Sequence, residues 1–358
     1  MKQPVIVLTG GGTAGHVSVN QALIPVFLER GYRVHYIGSK EGIERELIGD
    51  GHPEVVYHAI QSGKLRRYFS MKNFSDPFRV GAGTLQALSI VRKLKPEIVF
   101  SKGGFVSVPV VMAAKLANVP VVVHESDVTP GLANKLALPF SSQIFTVFEQ
   151  TLDYVPSAKS TCTGPIIRPE LFTGSKERGL QLTGLTNGKP IFIIMGGSQG
   201  SAVLNDAVRG TLFDILEDYQ IIHLCGKGNV DERLDGVDGY AQFEYVTTEL
   251  PDLLAASDYA ISRAGSNAIF ELLAIHKPML LVPLAASKSR GDQILNASYF
   301  ASKGLALQVE EEKLADVSMK EHFHHLVKEK SRLLSNIEKT TAPKTPEKMA
   351  ELILSFQK

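Results

Sequence analysis

The sequence has few cysteines, almost no net charge and no long uninterrupted apolar run. Its two cysteines, Cys162 and Cys225, offer neither a disulfide framework nor metal-ligand spacing, which fits a reducing cytosol. A net charge of +1 over 358 residues gives no bulk attraction for nucleic acid, so no nucleic-acid partner is expected. The most apolar stretch, residues 108–123, is interrupted by Lys115 and Asn118, so no membrane span is predicted. The first residues, MKQPVIVL, lead directly into a strand pattern and lack the length and cleavage site of a signal peptide, so no signal peptide is expected.

The charge is unevenly distributed along the chain. Residues 1–165 contain 17 Lys and Arg against 12 Asp and Glu, whereas residues 166–358 contain 21 against 25. The basic first half favours an anionic substrate or surface. Within it, residues 62–80 combine five basic side chains with four aromatic ones, which is typical of a segment that lies on an anionic membrane. The alternative is a solvated loop whose aromatic rings belong to the core.

Short β-branched runs alternate with helical patterns over most of the chain, which predicts doubly wound parallel sheets. The chain is also long for a single core, so two such domains are expected. The first set of strands is predicted within residues 5–10, 33–39, 97–104, 119–126 and 142–148, and the second within 190–208, 219–229, 241–246, 258–266 and 277–284.

The boundary between the domains is expected in residues 162–170, where prolines and a glycine separate two apolar runs. This predicts an N-terminal domain over residues 1–163, a C-terminal domain over 164–340, and a helix at 341–358 that packs back on the N-terminal domain. Open α/β sheets bind ligands at the carboxyl ends of their strands, so the two domains are predicted to face a central cleft.

Three glycine-rich turns lie between a predicted strand and a predicted helix. They are GGGTAGH at 10–16, GGSQGS at 196–201 and RAGSN at 263–267. Such turns let a phosphate approach the backbone amides at a helix N-terminus. A single turn of this kind can be a plain tight turn, but three in two domains favour phosphate binding.

The first turn also matches the Gly-x-Gly-x-x-Gly fingerprint of dinucleotide sites. The strand that follows ends in Ser39 and Lys40, which suits the 2′-phosphate of NADP. An NADP-dependent oxidoreductase therefore remains an alternative function. His16 has no role in that scheme. At the start of a helix that faces the cleft, its neutral imidazole can accept a proton, and the helix dipole disfavours the protonated form. A capping or core histidine is the alternative.

Two acidic side chains elsewhere in the sequence are candidates for catalysis or for ligand binding. Glu125 ends an apolar strand and is a candidate for acid–base or orienting work. In the helix predicted within residues 263–274, Ser266 or Asn267 is expected to cap the N-terminus. Glu271 follows about one turn later, where a carboxylate can accept both hydroxyls of a ribose; a first-turn charge is the alternative. Together, the glycine turn at 263–267 and the Glu271 carboxylate predict a nucleoside diphosphate that lies over this helix.

Together, six motifs resemble those of the MurG family of glycosyltransferases, in order and at matching spacing over residues 4–310. They are GGGTAGH, SKGGFVSVP, HESDVTPGLANK, GGSQG, SRAGSNAIFELLA and SRGDQILNA. Members of this family move N-acetylglucosamine from UDP-N-acetylglucosamine to the C4 hydroxyl of the N-acetylmuramoyl sugar of lipid I, a pyrophosphoryl-undecaprenol-linked pentapeptide. The resemblance implies an α/β GT-B fold, an inverting reaction and a peripheral position on the cytoplasmic face of the cell membrane.

The resemblance also implies roles for individual residues. His16 is the expected general base, and Glu125 is the alternative base. Thr13, Ala14 and Gly15 are expected to border the acceptor pyrophosphate and the transferred sugar. Ala14 replaces a frequent glycine of the family, and Asp127 replaces its usual asparagine. The residues expected to bind the donor are Asp127, Arg168, Ser198, Val246, Arg263, Ser266, Asn267, Ala268, Ile269, Glu271 and Gln293, and those expected to contact the membrane are Lys64, Arg66, Arg67, Tyr68 and Phe69.

No DxD-type carboxylate pair stands in a suitable loop, so neither a metal nor another cofactor is expected. The glycine turns and Arg263 are expected to stabilise the leaving diphosphate instead. The expected partners are UDP-N-acetylglucosamine, lipid I, anionic membrane lipids and other cell-wall synthesis proteins. The alternatives are a UDP-N-acetylglucosamine 2-epimerase, a GT-B glycosyltransferase with a different lipid acceptor, and a non-catalytic scaffold for cell-wall assembly.

Overall fold

The computed structural model describes residues 3–13, 15–63, 76–197, 200–287, 291–314, 316–340 and 343–357. The chain divides into two compact units. Unit 1 comprises Met1–Arg168 and Pro343–Lys358, and unit 2 comprises Pro169–Ala342. Among the described residues, no helix has both the length and the apolar character needed to cross a bilayer.

Unit 1 contains a sheet whose described strands are all parallel, in the order β3-β2-β1-β4-β5-β6-β7. The strands are β1 (Val5–Thr9), β2 (Arg33–Ser39), β3 (Val56–Ile60), β4 (Ile98–Ser101), β5 (Val121–Glu125), β6 (Gln143–Thr146) and β7 (Ser160–Cys162). The α-helices of this unit are α1 (Gly15–Glu29), α2 (Asp76–Leu94), α3 (Ser107–Leu116), α4 (Leu132–Ala137) and α12 (Pro346–Leu354), with a π-helical turn at Arg45–Asp50.

Helices cover both faces of this sheet, which explains why its central strands are mostly apolar. Ile6 of β1 packs in one buried cluster with Phe27 of α1, while Val7 packs in another with Val110 of α3. Because successive side chains of a strand point to opposite faces, a strand covered on both sides must be apolar at every position.

The helix α12 belongs to unit 1 although it follows unit 2 in the chain. Met349 and Ile353 of α12 are fully buried, in the same cluster as Phe27 of α1. At the edge of this contact, Arg30 pairs with Glu351 at 3.1 Å. The first and last helices of unit 1 therefore share one core.

Unit 2 repeats the plan with a second parallel sheet in the order β10-β9-β8-β11-β12-β13. The strands are β8 (Ile191–Met195), β9 (Gln220–Leu224), β10 (Tyr240–Phe243), β11 (Tyr259–Ser262), β12 (Met279–Leu281) and β13 (Leu307–Gln308). The helices are α5 (Lys176–Thr183), α6 (Ala202–Gly210), α7 (Leu212–Leu216), α8 (Leu250–Ala256), α9 (Ser266–Ala274), α10 (Asp292–Ser302) and α11 (Met319–Ile337).

Every predicted strand is present, and the prediction of two doubly wound α/β domains is confirmed. Three further strands, β3, β7 and β13, were not predicted. All three lie at sheet edges. The strand β3 is partly exposed, and β7 and β13 are three and two residues long, so none of them has the continuous apolar pattern of a central strand.

Candidate functional sites

The strand order of unit 1 reverses between β1 and β4, and open α/β sheets bind ligands at such a switch point. The loops after these two strands touch, because the Gly11 amide donates a hydrogen bond to the Gly103 carbonyl at 3.2 Å. Gly104 has a φ of +86°, and a Cβ on it would lie 2.1 Å from the Gly11 oxygen. Only glycine permits this approach, which brings the backbones of two loops together where a phosphate could bind.

Glu44 holds the first of these loops in place from within the protein. Its Oε2 accepts a hydrogen bond from the Gly12 amide at 3.1 Å, and its Oε1 accepts from the Ser39 amide at 3.1 Å. The Glu44 residue is 1% exposed, so it acts as a buried support for the loop. We did not expect this role, because 32 residues separate Glu44 from Gly12 and no local spacing reveals the contact.

His16 is the second residue of α1, directly after this loop. Its Nδ1 lies 2.9 Å from the Gly11 carbonyl oxygen, and its amide donates to Thr13 O at 3.1 Å. A carbonyl oxygen can only accept, so Nδ1 carries the proton of this bond. In the neutral ring the basic lone pair is therefore on Nε2, which is the form a general base requires.

Glu125 was expected as a reserve base, but its surroundings suit a supporting role. Its carboxylate accepts hydrogen bonds from the Asp127 amide at 3.0 Å, the Gly131 amide at 2.9 Å and Asn134 Nδ2 at 2.8 Å. Burial and the neighbouring Asp127 raise the pKa of the Glu125 carboxyl, while Lys102 opposes that rise. At 4% exposure, Glu125 anchors the loop that follows β5.

Three buried polar side chains, Lys102, His124 and Ser126, lie beside these loops, and we had assigned no role to any of them. Lys102 is 1% exposed and donates from Nζ to Ser126 Oγ at 2.8 Å. Burial lowers the pKa of the Lys102 ammonium, against the attraction of Glu125 and Asp127. Burial, followed by the charge of Lys102, holds the pKa of His124 well below its usual value.

Unit 2 has its own switch point between β8 and β11, with a glycine turn after each strand. In the turn after β8, Gly200 has a φ of +75°, and a Cβ on it would lie 2.0 Å from the Cys225 oxygen. Ser201 then caps α6 by accepting a hydrogen bond from the Leu204 amide at 3.3 Å. This is the strand–glycine turn–helix arrangement that the sequence predicts for phosphate binding.

Arg263 was expected beside the donor diphosphate, but its guanidinium is committed within unit 2. It is 7% exposed and pairs with the buried Glu311 at 2.8 Å. It also donates to the Val282 oxygen at 3.1 Å and to Ser201 Oγ. These bonds connect the turns after β8 and β11 with the end of β12, so Arg263 holds the glycine turns together, and its contact with the donor diphosphate stays a prediction.

The helix α9 begins differently from the sequence prediction. Gly265, with φ −69° and ψ 131°, occupies the N-cap position, and no side chain caps the helix. The expectation that Ser266 or Asn267 is the cap is therefore wrong, because both already lie inside the helix. Gly265 has no side chain that could cap the first amides of α9, and a helix N-terminus of this kind suits an anion.

The residues of α9 divide between a ligand face and the core. Asn267 and Glu271 are half-buried and four positions apart, so they share one face of the helix. Ala268 lies on the same half-buried side. Ile269 is fully buried and its amide donates to the Gly265 oxygen at 3.1 Å, so its side chain and its amide both serve the fold.

The remaining predicted residues are spread over several elements. Gln293, in the first turn of α10, accepts a hydrogen bond from the Leu284 amide at 3.1 Å through Oε1. Val246 is half-buried in the loop after β10, and Arg168 is half-buried at the end of the first segment of unit 1. Seven predicted residues lie outside the described ranges: Ala14, Lys64, Arg66, Arg67, Tyr68, Phe69 and Ser198.

Next to the undescribed segment 64–75, helix α2 exposes large apolar side chains. Phe78 is 82% exposed and Leu85 is 70% exposed. They are seven residues apart, which places them on one face of the helix.

Comparison with known proteins identifies related sequences over both units. Residues 6–146 match the glycosyltransferase family 28 N-terminal domain, and residues 191–353 match the glycosyltransferase family 28 C-terminal domain. A protein of Oceanobacillus iheyensis is 51% identical over 99% of this chain and 98% of its own length. One of Geobacillus thermodenitrificans is 55% identical over 94% of each chain. Both are named UDP-N-acetylglucosamine--N-acetylmuramyl-(pentapeptide) pyrophosphoryl-undecaprenol N-acetylglucosamine transferase.

A solved structure extends the comparison to the fold. The crystal structure of MurG from Acinetobacter baumannii matches with a TM-score of 0.74 at 20% identity, over 99% of this chain and 100% of that one. The GT-B fold is therefore confirmed. The sequence matches likewise confirm the resemblance that the six motifs indicated.

Proposed function

Because the chain belongs to glycosyltransferase family 28, we propose that it transfers N-acetylglucosamine from UDP-N-acetylglucosamine to the C4 hydroxyl of the N-acetylmuramoyl sugar of lipid I, with inversion at the anomeric carbon. One observation carries the proposal: each unit has glycine turns at the switch point of its sheet. Donor and acceptor each contain a diphosphate, and a glycine turn beside a helix N-terminus suits that group. Two substrates with diphosphates therefore match two sites.

The donor is assigned to unit 2. Its diphosphate would meet the N-terminal amides of α9, where the N-cap residue is Gly265. Its ribose would lie along the helix, where Glu271 can accept both hydroxyls and Asn267 shares the same face. Gln293 is assigned to the sugar hydroxyls. Its Oε1 is held by Leu284, and its Nε2 has no partner among the described residues, so it can act as a donor.

The acceptor is assigned to the switch point of unit 1. The touching loops at Gly11 and Gly103 offer backbone groups to its diphosphate. In the reaction, the C4 hydroxyl attacks the anomeric carbon of the donor and gives its proton to Nε2 of His16. The bond from that carbon to the UDP oxygen breaks, and the diphosphate leaves with the bonding electrons. We assign the base role to His16, since the carboxylate of Glu125 is buried and accepts three hydrogen bonds.

We place the protein peripherally on the cytoplasmic face of the membrane that holds its lipid acceptor. The basic and aromatic composition of residues 62–80 supports this placement, as do the exposed Phe78 and Leu85 of α2. Lys64, Arg66, Arg67, Tyr68 and Phe69 remain the predicted contacts. Anionic lipids and cell-wall synthesis proteins remain proposed partners.

The test is a transfer assay with UDP-[14C]N-acetylglucosamine and a short-chain lipid I analogue. We expect a labelled disaccharide lipid and an equal amount of UDP. The absence of a labelled lipid would contradict the proposal. Conversion of the donor to N-acetylmannosamine without acceptor would favour the 2-epimerase instead.

The same assay tests the assignment of His16 as the general base. We expect His16→Ala to lower kcat by about 100-fold or more, which is the usual contribution of general base catalysis, and to leave donor affinity nearly unchanged. His52→Ala is the matched control, since His52 lies in unit 1 and pairs with Glu54. If His16→Ala turned over as fast as His52→Ala, His16 would not be the base.

A further inference from the structure

We propose that Lys102 is a positioning residue for the acceptor, whose buried ammonium balances the negative charge of a diphosphate bound at the two glycine loops of unit 1. The inference rests on the proposed function. It concerns a residue for which neither the motifs nor the family comparison supplied a role.

The first argument is that the Lys102 ammonium is buried and forms no ion pair with a carboxylate in the described part of the chain. The residue is 1% exposed, and its Nζ donates one hydrogen bond, to the neutral hydroxyl of Ser126. An ammonium has three donors, and no carboxylate in the described ranges forms an ion pair with this one. Buried charges are normally paired, because their removal from water is costly. The fold therefore keeps a cation whose compensation is incomplete until an anion binds.

The second argument is that the two acidic groups that attract Lys102, Glu125 and Asp127, do not offset its burial. The Glu125 carboxylate is held by two backbone amides and Asn134. Asp127 is half-buried, and its carbonyl accepts from Thr151 Oγ1 at 3.1 Å. Both acids attract the Lys102 ammonium electrostatically, and burial still lowers its pKa. Their attraction does not fully offset the cost of burial.

The third argument is the location of the side chain. The Lys102 amide donates to the Thr9 oxygen at 2.9 Å, and the next residue, Gly103, accepts from Gly11. A Cβ on Gly10 would lie 3.2 Å from the Lys102 Cβ. Its Nζ reaches Ser126, directly after β5. Lys102 thus joins the loops after β1, β4 and β5, beside the backbone groups assigned to the acceptor diphosphate.

These features define what Lys102 does in the reaction. It attracts the acceptor diphosphate through a low-dielectric interior, where a charge acts more strongly than at the surface. It holds the three loops in register and does not touch the reacting carbon or hydroxyl. Its loss should therefore weaken acceptor binding selectively and leave donor binding intact.

The experiment is steady-state kinetics of the full chain with a short-chain lipid I analogue and UDP-N-acetylglucosamine, each varied in turn. For Lys102→Met we expect KM for the lipid I analogue to rise at least about tenfold, equivalent to about 1.4 kcal/mol, and KM for the donor to change by less than about twofold. Lys277→Met is the matched control, because Lys277 is a buried lysine of unit 2, 8% exposed and bonded to the Leu254 oxygen. It should lower thermal stability without a selective rise in acceptor KM.

A second pair of variants keeps the test decisive if Lys102→Met does not fold. Ser126→Asp places a carboxylate against the ammonium, whereas Ser126→Asn places a neutral group of similar size there. We expect acceptor KM to rise at least about fivefold more in Ser126→Asp than in Ser126→Asn. Equal values for this pair would overturn the inference, as would an unchanged acceptor KM in folded Lys102→Met or an equal rise for both substrates. Failure of the unmodified chain to transfer sugar would instead overturn the proposed function.

Discussion

At the scale of single residues, buried carboxylates hold the shape of the loops that meet ligands. Glu44 supports Gly12, and Glu125 supports the loop through Gly131. Neither bonding pattern is visible in the sequence, where Glu44 lies among other acids and Glu125 ends an apolar strand. The glycine turns themselves were predictable, since a glycine after an apolar strand has few other uses. The supporting acids were not, because their partners are distant in sequence or are backbone amides.

The prediction at this scale concerns Glu44. We expect Glu44→Ala to lower the free energy of unfolding by about 1–3 kcal/mol, because it leaves the amides of Gly12 and Ser39 without their acceptor. The acceptor KM should rise as well, since the loop at Gly12 is no longer held. Urea unfolding and kinetics with the lipid I analogue measure the two effects.

Glu46→Ala is the control for this prediction, because Glu46 is exposed on the same short segment. It should change stability by less than about 0.5 kcal/mol, which is usual for surface substitutions. Equal effects of the two substitutions would show that Glu44 does not support the loop.

At the scale of elements, one buried ion pair fixes the relation of the donor turns in unit 2. Arg263 follows β11 and meets Glu311, which lies beyond β13, while it also bonds Ser201 at the start of α6. The family resemblance predicts a basic residue, Arg263, near the diphosphate. Only the structure shows that the guanidinium is 7% exposed and already paired.

The prediction at this scale is that Glu311→Gln raises KM for UDP-N-acetylglucosamine about tenfold or more and leaves the lipid I KM within about twofold. Loss of one partner of a buried ion pair lowers stability by about 3–5 kcal/mol. The turns after β8 and β11, which Arg263 connects, would be distorted by this loss. Kinetics with each substrate varied, together with thermal unfolding, measure both effects. Glu312→Gln, at the exposed neighbouring position, should behave like the unmodified chain. A donor KM that is the same in both variants would remove the positioning role of Arg263.

At the scale of the whole molecule, the chain forms two similar sheets, and our proposal assigns one diphosphate substrate to each. Alternation of apolar runs and helical patterns was sufficient to predict both sheets, because central parallel strands are buried on both faces. Edge strands such as β3 and β13 carry a weaker pattern and were missed. The sequence predicts a ligand face of α9 at Glu271, while the cap at Gly265 depended on backbone angles that sequence does not fix.

The most direct test of this division is a crystal structure of the chain with UDP-N-acetylglucosamine bound. The account predicts the donor on unit 2, with its ribose hydroxyls within hydrogen-bond distance of the Glu271 carboxylate and its diphosphate at the N-terminal amides of α9. A donor whose diphosphate lies on the Gly11 and Gly103 loops of unit 1, or whose ribose does not contact Glu271, would contradict it.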